Sequence, residues 1–461
     1  MKTIYPEFRH SGFYGLIGLS QSDITPPVGI YARNWGAAKT DVATGVHQPL
    51  LLGCITFQSV ATAQPLVIIT VDLGWWKNIQ DERFVRQAIL DALKIDHANL
   101  MICLSHTHAG PGLCRDDVSK PGGQYIEPYL LHVRDSAIAA VRKALSGASW
   151  SNLTWHYGSC NLAANRDLTE AGKTRTVVGF NPAAAPDNTL LVGRITNSEG
   201  DITGTIVNYA CHPTTLAWDN QLISPDYVGA MRSVVQDGTQ APCMFLQGAS
   251  GELAPTEQYS GDTTLAERHG KQLGYAVLST LQAMLAPGHL LAFDSIVESG
   301  APLAVWRQKE SQVLRDLSAR VVSVKLPLKE LEPLSVIEKQ WENCTDHVLK
   351  ERLWRKLNVR KAVGNGSMAT VPLWVWQLGN SFLTGQPNEA YSLFQTNLRE
   401  RFPSYAIAVM NVVNGHIGYL PPQGLYNDDR YAVWQTPFAK GSLETLISTA
   451  TEAIQLMANK K

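Results

Sequence analysis

Two histidines, His106 and His108, follow five consecutive apolar residues at 100–104 and precede a Gly-Pro pair at 110–111. The apolar run predicts a buried strand, and the Gly-Pro pair predicts a loop. Because residues i and i+2 of an extended backbone point to the same side, both imidazoles are expected to face one pocket. Imidazoles at the end of a strand can bind a metal ion or transfer a proton. Two exposed loop histidines would give the same pattern.

The same succession of an apolar strand and a loop containing glycine or proline recurs at four further places. Each of these loops carries a side chain that can take part in catalysis, and these side chains are His212, Glu252, Glu389 and Tyr419. In α/β enzymes the loops at the ends of sheet strands carry the catalytic groups. Five such loops therefore predict a site assembled from distant segments of the chain.

Hydrophobic periodicity predicts the elements that hold the first of these loops. Strand-like runs at 65–72 and 99–105 enclose a segment, 81–94, whose apolar residues recur at helical spacing. The three segments predict a right-handed βαβ unit with parallel strands, which places Asp72 near His106 at one edge of a sheet. A structural role for Asp72, as a cap or a turn carboxylate, fits the sequence equally well.

A second strand–helix–strand series covers about 204–248, with its helix from about Asp226 to Gln236. The segment from about 305 to 363 is rich in Lys, Arg, Glu and Leu, and it predicts a helical insertion packed on the sheet. Within it, one helix is expected to begin at a capping box at Ser335 and to run to about Lys361. The last residues, 441–461, predict a closing helix.

Composition describes a packed globular chain of 461 residues with 45% hydrophobic and 17% charged residues. The formal net charge of -1 provides no basic field, so nucleic acid and anionic membranes are not expected partners. No signal peptide and no membrane-spanning stretch is evident. Seven scattered cysteines without a CxxC pair predict free thiols in a reducing cytoplasm. The sequence leaves the oligomeric state open.

Taken together, the loops resemble the catalytic N-terminal domain of the neutral/alkaline (non-lysosomal) ceramidases and the wider bacterial family around it. The matching motifs occur in family order, and they are 22–29, 45–47, 105–111, 165–166, 211–214, 251–255, 387–389, 418–419 and 430–431. The resemblance implies an α/β fold of layered mixed β-sheets flanked by helices. The chain is expected to form a single catalytic domain over 1–461, with the helical insertion and without the immunoglobulin-like C-terminal domain of ceramidases.

Ceramidases of this family are zinc amidases, so the resemblance also implies a Zn²⁺ site. Its implied ligands are His106, His212, Glu389 and Tyr419. Imidazole and carboxylate are ordinary zinc donors, and a further position is left for water or substrate. Structural interpretations remain open for these residues. His212 also fits a capping or core histidine, and Glu389 fits a carboxylate in the first turn of a helix running to Arg401. Tyr419 also fits a buried core tyrosine. His47 and His416 lie near family motifs and are predicted to be structural.

Further residues are implied to act beside the metal. His108 is expected to be a general base or a donor to the developing oxyanion. Tyr431 is expected to donate to the oxyanion, although it also fits a core tyrosine, and Arg166 is expected to hold a hydroxyl or carboxylate of the substrate. Trp35 is expected to contact the substrate.

The chain departs from the ceramidase pattern at the Gly-Asp-x-Ser-Pro motif, whose serine the family needs for activity. The corresponding residues are 251–255, where Glu252 replaces the aspartate and Ala254 replaces the serine. Ser250 is a candidate substitute for the serine, and both Ser250 and Glu252 are predicted to contact the substrate. The missing hydroxyl and the absence of an export signal predict a soluble substrate other than ceramide.

The leading hypothesis is a zinc-dependent hydrolase, ceramidase-like, that cuts an amide or ester-type bond in a small soluble molecule. A metal-assisted carbohydrate-active enzyme or lyase is the first alternative, because Trp35, Trp75, Trp76 and Trp218 lie near the same loops and can stack on sugar rings. The second alternative is a non-catalytic binding homologue, and Ala254 is its best support.

Overall fold

The computed structural model describes residues 7–312 and 314–459, except for the side chains of residues 347 and 348. The strands of these residues are β1 (Phe8–Arg9), β2 (Ser11–Asp23), β3 (Gly45–Val46), β4 (Leu51–Gln58), β5 (Leu66–Val71), β6 (Leu100–Leu104), β7 (Ser149–Ser159), β8 (Ala163–Asn165), β9 (Asp167–Thr169), β10 (Thr176–Val178), β11 (Thr189–Thr196), β12 (Ile202–Tyr209), β13 (Leu222–Ile223), β14 (Cys243–Gln247), β15 (Leu253–Pro255), β16 (His289–Glu298), β17 (Pro302–Glu310), β18 (Leu317–Pro327), β19 (Met368–Leu378), β20 (Ser381–Gly385), β21 (Asn388–Ala390), β22 (Ala406–Met410) and β23 (Gly418–Leu420). The α-helices are α1 (Ile79–Leu93), α2 (Ile126–Ser146), α3 (Tyr227–Thr239), α4 (Thr263–Gln282), α5 (Leu334–Asn343), α6 (His347–Val363), α7 (Leu393–Arg401), α8 (Tyr431–Gln435) and α9 (Ser442–Ala458).

Two mixed sheets form the centre of the fold. The large sheet has eight strands in the order β14-β12-β11-β7-β2-β4-β5-β6, and the small sheet has four in the order β18-β19-β20-β22. The two sheets pack face to face over an apolar core that includes Phe57, Met101, Trp374 and Trp376. Helices α1–α4 cover the other face of the large sheet, and α7 and α9 cover the small sheet. The predicted α/β fold of layered mixed sheets flanked by helices is therefore confirmed.

The layering explains why the strands were visible in the sequence. Every residue of β5 and β6 is buried. Because both faces of the large sheet are covered, these strands read as continuous apolar runs and do not alternate. Both predicted βαβ units are confirmed, since β5 pairs with β6 and β12 pairs with β14 in parallel. The two strands of each parallel pair end at the same edge, so the loops after β5 and β6 lie together, as do the loops after β12 and β14.

Asp72, at the end of β5, has a structural role. Its carboxylate accepts hydrogen bonds from both terminal nitrogens of Arg232 on α3, each at 2.8 Å, and from the backbone N–H of Leu51 at 2.9 Å. Both side chains of the ion pair are buried. The structural alternative from the sequence is therefore the better description, and the carboxylate joins β5 to α3.

The predicted helical insertion at about 305–363 is helical only in its second part. Its first part forms β17 and the strand β18, which pairs along its whole length with β19 at the edge of the small sheet. Alternating valines within 317–327 favour the extended backbone. The second part forms two helices, α5 and α6, where one helix was expected. The helix is interrupted at 344–346, and the side chain of Asp346 caps α6. Ser335 does not cap α5, which begins after Pro333.

The buried Asp226 makes the stability of the fold depend on pH. Its carboxylate caps α3 and accepts from the backbone N–H groups of Leu216 and Tyr227, while burial raises its pKa from 3.8 to about 6. The folded chain therefore binds a proton that the unfolded chain has released between about pH 4 and pH 6, so this group lowers stability as the pH rises through that window. The shift corresponds to about 3 kcal/mol.

Asp226→Asn removes this titration. The difference in free energy of unfolding between the variant and the parent is expected to increase by about 2–3 kcal/mol from about pH 4 to about pH 6, in favour of the variant. Urea denaturation at the two pH values measures the difference in free energy of unfolding. Asp237→Asn, on the exposed end of α3, is the matched control. An Asp226→Asn difference that is the same at both pH values would contradict the assignment.

Candidate metal centre

The ends of the two βαβ units deliver two histidines to one place. His106 follows β6, and His212 follows β12, and the rings of the two histidines lie 4.9 Å apart. Glu389 lies in the short strand β21, which follows β20 of the small sheet. β21 pairs in parallel with β23, and this register sets Glu389 beside Tyr419. The site is therefore built where the edges of the two sheets meet.

The side chains of His106, His212 and Glu389 converge in the protein interior. Oε2 of Glu389 lies 2.8 Å from Nε2 of His212 and 3.4 Å from Nε2 of His106. One ligand atom from each residue lies within 4.8 Å of the other two. Two donors that each lie about 2.0–2.2 Å from one zinc ion are at most about 4.4 Å apart. The distances from Oε2 of Glu389 to Nε2 of His212 and to Nε2 of His106 both lie within this limit.

In both imidazoles the hydrogen bond of Nδ1 leaves the lone pair of Nε2 facing the centre. Nδ1 of His106 is 3.1 Å from the carbonyl oxygen of Gly74, and Nδ1 of His212 is 2.7 Å from that of Ser250. A carbonyl only accepts hydrogen bonds, so each Nδ1 carries the proton and each Nε2 presents a lone pair. Nε2 of His106 has no hydrogen-bond partner among the described residues. Metal-binding histidines typically have this outer arrangement, and the residues therefore fit a divalent cation.

The charges of the cluster point the same way. Burial alone would raise the pKa of Glu389, but His106, His212 and His416 together hold it well below its ordinary value. Burial and the nearby Arg166 lower the pKa of His212 to about 4. An ionised carboxylate beside an unprotonated imidazole is the donor state that a metal ion needs.

The backbone at His106 differs from the extended conformation assumed in the sequence analysis. Its φ is 70°, in the left-handed region, which non-glycine residues rarely adopt. The backbone N–H of His106 donates to the carbonyl of Leu73 at 2.9 Å, and this contact helps hold the turn. The rings of His106 and His108 are 5.1 Å apart, so both still reach one pocket. A tight turn, and not strand alternation, brings them together.

Tyr419 lies beside the carboxylate of Glu389, and Arg166 lies behind Tyr419. The guanidinium of Arg166 donates to the hydroxyl of Tyr419 at 3.0 Å and to the carbonyl of Gly251 at 2.8 Å. Burial and the charge of Glu389 raise the pKa of Tyr419 well above its ordinary value, although Arg166 opposes the shift. Arg166 is not among the residues that line the cavity, and in the structure it positions Tyr419.

His416 belongs to the centre, although the sequence analysis assigned it a structural role. Its Nε2 lies 2.8 Å from Oε1 of Glu389, and its ring borders the cavity. The loop at 414–419 follows a strand and also carries Tyr419. This was the sequence feature that could have indicated a role for His416. His47 is structural as predicted, with its ring nitrogens 2.9 Å from the hydroxyl of Ser224 and 3.3 Å from Glu267.

A cavity of about 170 Å³ opens onto the centre. His106, His108 and Glu389 border it, and its aromatic walls include Trp35, Trp75, Trp354, Tyr419 and Tyr431. The ring of His108 lies between those of Trp35 and Trp75, at centroid distances of 5.0 and 4.8 Å. Both ring nitrogens of His108 lack hydrogen-bond partners among the described residues. His108 is therefore a polar group free to meet a ligand.

The other two tryptophans singled out from the sequence do not border the cavity. Trp76 is buried in the apolar core beneath α1 and α2. Trp218 packs behind Trp35, with its ring stacked on that of Tyr259.

Ser250 and Glu252, predicted to contact the substrate, lie behind the wall of the cavity. The Ser250 hydroxyl accepts a hydrogen bond from the side chain of Gln247, and the Glu252 carboxylate binds the backbone N–H and hydroxyl of Ser392. Both residues act through backbone carbonyls instead: that of Ser250 orients His212, and that of Glu252 accepts from the backbone N–H of Arg166. The prediction is corrected to a positioning role.

Gly251, between these two residues, permits a close approach of β21. A Cβ atom at this position would lie 2.9 Å from the backbone oxygen of Glu389 and 2.6 Å from the side chain of Tyr391. The glycine-rich turn therefore lets the strand that carries Glu389 pack against the loop that orients His212.

The sequence profile described as neutral/alkaline non-lysosomal ceramidase, N-terminal, matches residues 15–249. The chain is 25% identical over 223 residues to the neutral ceramidase of Pseudomonas aeruginosa and 27% identical over 237 residues to neutral ceramidase 2 of Arabidopsis thaliana. These alignments cover 46% and 48% of this chain, and 32% and 30% of the two relatives. The chain therefore matches about a third of the length of these curated relatives.

Solved structures give the same result for the fold. The crystal structure of neutral ceramidase from Pseudomonas aeruginosa superposes with a TM-score of 0.69 and 15% identity, covering 98% of this chain and 75% of that one. A ceramidase complexed with C2 superposes equally well, with a TM-score of 0.69. Among the described residues, no helix is both long and apolar enough to cross a membrane.

Proposed function

Because the chain belongs to the neutral/alkaline non-lysosomal ceramidase family, we propose that it is a zinc-dependent hydrolase of an amide or ester-type bond in a small soluble molecule. The observation that carries this proposal is the convergence of His106, His212 and Glu389 around one point, with both imidazole Nε2 atoms turned inward. Tyr419, beside Glu389, is the proposed fourth ligand.

A zinc ion held by these donors supplies Lewis acidity and a nucleophile at neutral pH. The residues around it have separate tasks. His108, unpartnered and facing the cavity, takes the proton of the attacking water and passes it to the leaving group. The hydroxyl of Tyr431 donates to the carbonyl oxygen as negative charge develops there. Trp35 and Trp75 fix the ring of His108 and exclude bulk water from it.

The proposed substrate is polar and is not ceramide. Ala254 stands where the family serine is expected, and it is fully buried in β15, away from the cavity. The cavity also has charged residues on its walls, including Lys77, Lys120 and Arg355, which suit a polar molecule better than a lipid chain. Seven free cysteines, six of them buried, agree with the proposed reducing cytoplasmic location.

The test is the hydrolysis of a neutral ester, p-nitrophenyl acetate, in isotopically labelled water by protein of known metal content. We expect about one zinc per chain, one labelled oxygen in each acetate released, and loss of turnover on chelation that zinc restores. Turnover that chelation does not affect would contradict the proposal. Acetate that carries no labelled oxygen would contradict attack of water on the carbonyl carbon.

Tyr431→Phe tests the role of the phenol. We expect kcat to fall about 100-fold with little change in KM, because a donor that acts on the developing oxyanion stabilises the transition state more than the bound substrate. Tyr275→Phe, at an exposed tyrosine of α4, is the matched control and should leave both constants unchanged. A kcat within twofold of the parent would remove Tyr431 from the proposed mechanism.

A further inference from the structure

The cavity has a second polar region, which the metal centre does not use. Lys77 lies two residues after Trp75, in the segment between β5 and α1, and Lys120 ends a short 3₁₀ turn at 115–119. Both lysines border the same cavity as His106 and Glu389. We call Lys77 and Lys120 the lysine pair.

One carboxylate serves both lysines. The two oxygens of the buried Asp117 lie 2.8 Å from the ammonium of Lys120 and 3.6 Å from that of Lys77. Two positive charges against one negative charge leave a net charge of about +1 at this point of the wall. The oxygen nearer Lys77 has no hydrogen-bond partner among the described residues, so the two groups are matched by charge but are not hydrogen-bonded.

Lys77 is the less well paired of the two lysines. Its side chain is only 10% exposed, and its ammonium, which has three donors, contacts the ring of Tyr31 at 5.2 Å and no hydrogen-bond acceptor within the described chain. Burial lowers its pKa, although Asp117 opposes the shift. A buried cation without hydrogen bonds is costly, so this position favours a ligand that supplies the missing acceptors.

Helix α6, which borders the cavity, keeps an excess of positive charge. It carries six Lys and Arg residues and one acidic residue, Glu351, and two of the lysines pair with acidic residues outside the helix, Lys356 with Glu332 and Lys361 with Glu338. Arg355 of this helix borders the cavity and pairs with Glu351, while Trp354 lies 5.9 Å from the ammonium of Lys120. Positive potential at the entrance of a cleft draws anions into it.

We propose that the lysine pair binds an anionic group of the substrate, a carboxylate, phosphate or sulfate, while the bond to be cut lies at the His106–His212–Glu389 centre. The inference rests on the proposed function and narrows its substrate class to acidic amides or esters. Lys77 supplies a desolvated hydrogen-bond donor, which gives strength and direction, and Lys120 supplies a more exposed charge.

Calorimetric titration of the full chain with three small molecules tests the subsite. Succinate represents the carboxylate, inorganic phosphate represents the phosphate or sulfate, and succinamide is the uncharged control. We expect at least one anion to bind the parent at least about tenfold more tightly than succinamide, and Lys77→Met to weaken that binding at least about tenfold. Lys120→Met should weaken it by a smaller factor, because its charge is more exposed.

Lys143→Met, at an exposed lysine of α2, is the matched control and should bind like the parent. The stronger of the two anions identifies the acidic group. The inference is overturned if neither anion binds more tightly than succinamide, or if both lysine variants bind the anions as the parent does. Should Lys77→Met fail to fold, the half-exposed Lys120 still decides the result.

Metal content of the same samples separates this inference from the proposed function. Lys77→Met is expected to hold as much metal as the parent, since Lys77 does not contact the centre. A parent without metal that still binds anions through the lysine pair would overturn the zinc hydrolase and leave the subsite standing. A parent that holds zinc but binds neither anion more tightly than succinamide would overturn the subsite and leave the zinc hydrolase standing.

Discussion

His106→Ala is expected to lose its metal and to lower turnover of p-nitrophenyl acetate by at least about three orders of magnitude. The imidazole is buried, its Nε2 has no hydrogen-bond partner among the described residues, and it faces Glu389 at 3.4 Å. Alanine offers no donor, so the remaining imidazole and carboxylate hold a metal ion far less tightly. Metal analysis and turnover on the same sample measure both effects.

His132→Ala, at an exposed histidine of α2, is the control for the loss of an imidazole as such. It should keep the parent's metal content and turnover. His212→Ala should behave as His106→Ala does, which guards against a local defect at the strained turn. A His106→Ala protein that is folded, binds metal as the parent does and remains active would show that the centre lies elsewhere.

Arg232→Met is expected to lower the free energy of unfolding by about 3–5 kcal/mol. The substitution leaves the carboxylate of Asp72 buried without its guanidinium, and only the backbone N–H of Leu51 remains as a partner. The cost is large because the charge cannot regain water inside the layer between β5 and α3. Urea denaturation followed by circular dichroism gives the change.

Arg134→Met provides the comparison, since Arg134 pairs with Asp135 on the exposed surface of α2. Exposed pairs contribute about 0–1 kcal/mol, so this variant should be close to the parent. Asp72→Asn combined with Arg232→Met should recover part of the loss, because no unpaired charge is left. Equal effects of the buried and the exposed substitutions would refute the structural role assigned to Asp72.

The sequence was most informative where both faces of a sheet are covered. β5, β6, β12 and β14 read as apolar runs because each is packed on both sides, and the parallel pairing followed from the helices between them. The resemblance to the ceramidases, and not the pairing of strands, predicted that His106 and His212 meet. The resemblance to the ceramidases added Glu389 and Tyr419, which lie on short strands with little periodicity of their own.

The errors have physical causes. The segment at 317–327 was taken as helix from its composition, but its pairing with β19 decided the outcome, and a long-range contact of this kind leaves no local signal. Ser250 and Glu252 were assigned to the substrate because Glu252 replaces the aspartate of the family motif and Ser250 is a candidate substitute for its serine. The turn presents their carbonyls to His212 and to the backbone of Arg166, and turns the side chains away.

His416 shows the remaining limit. Its position in a loop after a strand matched that of His212, but nothing local to 414–419 indicates that its ring reaches the carboxylate of Glu389. The lysine pair was also invisible in the sequence, because Lys77 and Lys120 are 43 positions apart and are brought together by Asp117 and by the ring of Tyr31. Which polar side chains share a cavity depends on packing, and packing is set by the whole fold.

The central claim is that one divalent ion is held between His106, His212 and Glu389. Anomalous X-ray diffraction from crystals of the zinc-loaded protein, recorded on both sides of the zinc absorption edge, tests it directly. We predict one strong anomalous peak about 2.0–2.2 Å from Nε2 of His106, Nε2 of His212 and a carboxylate oxygen of Glu389. A zinc-loaded crystal with no peak there, or with its only peak at another group of residues, would contradict the account.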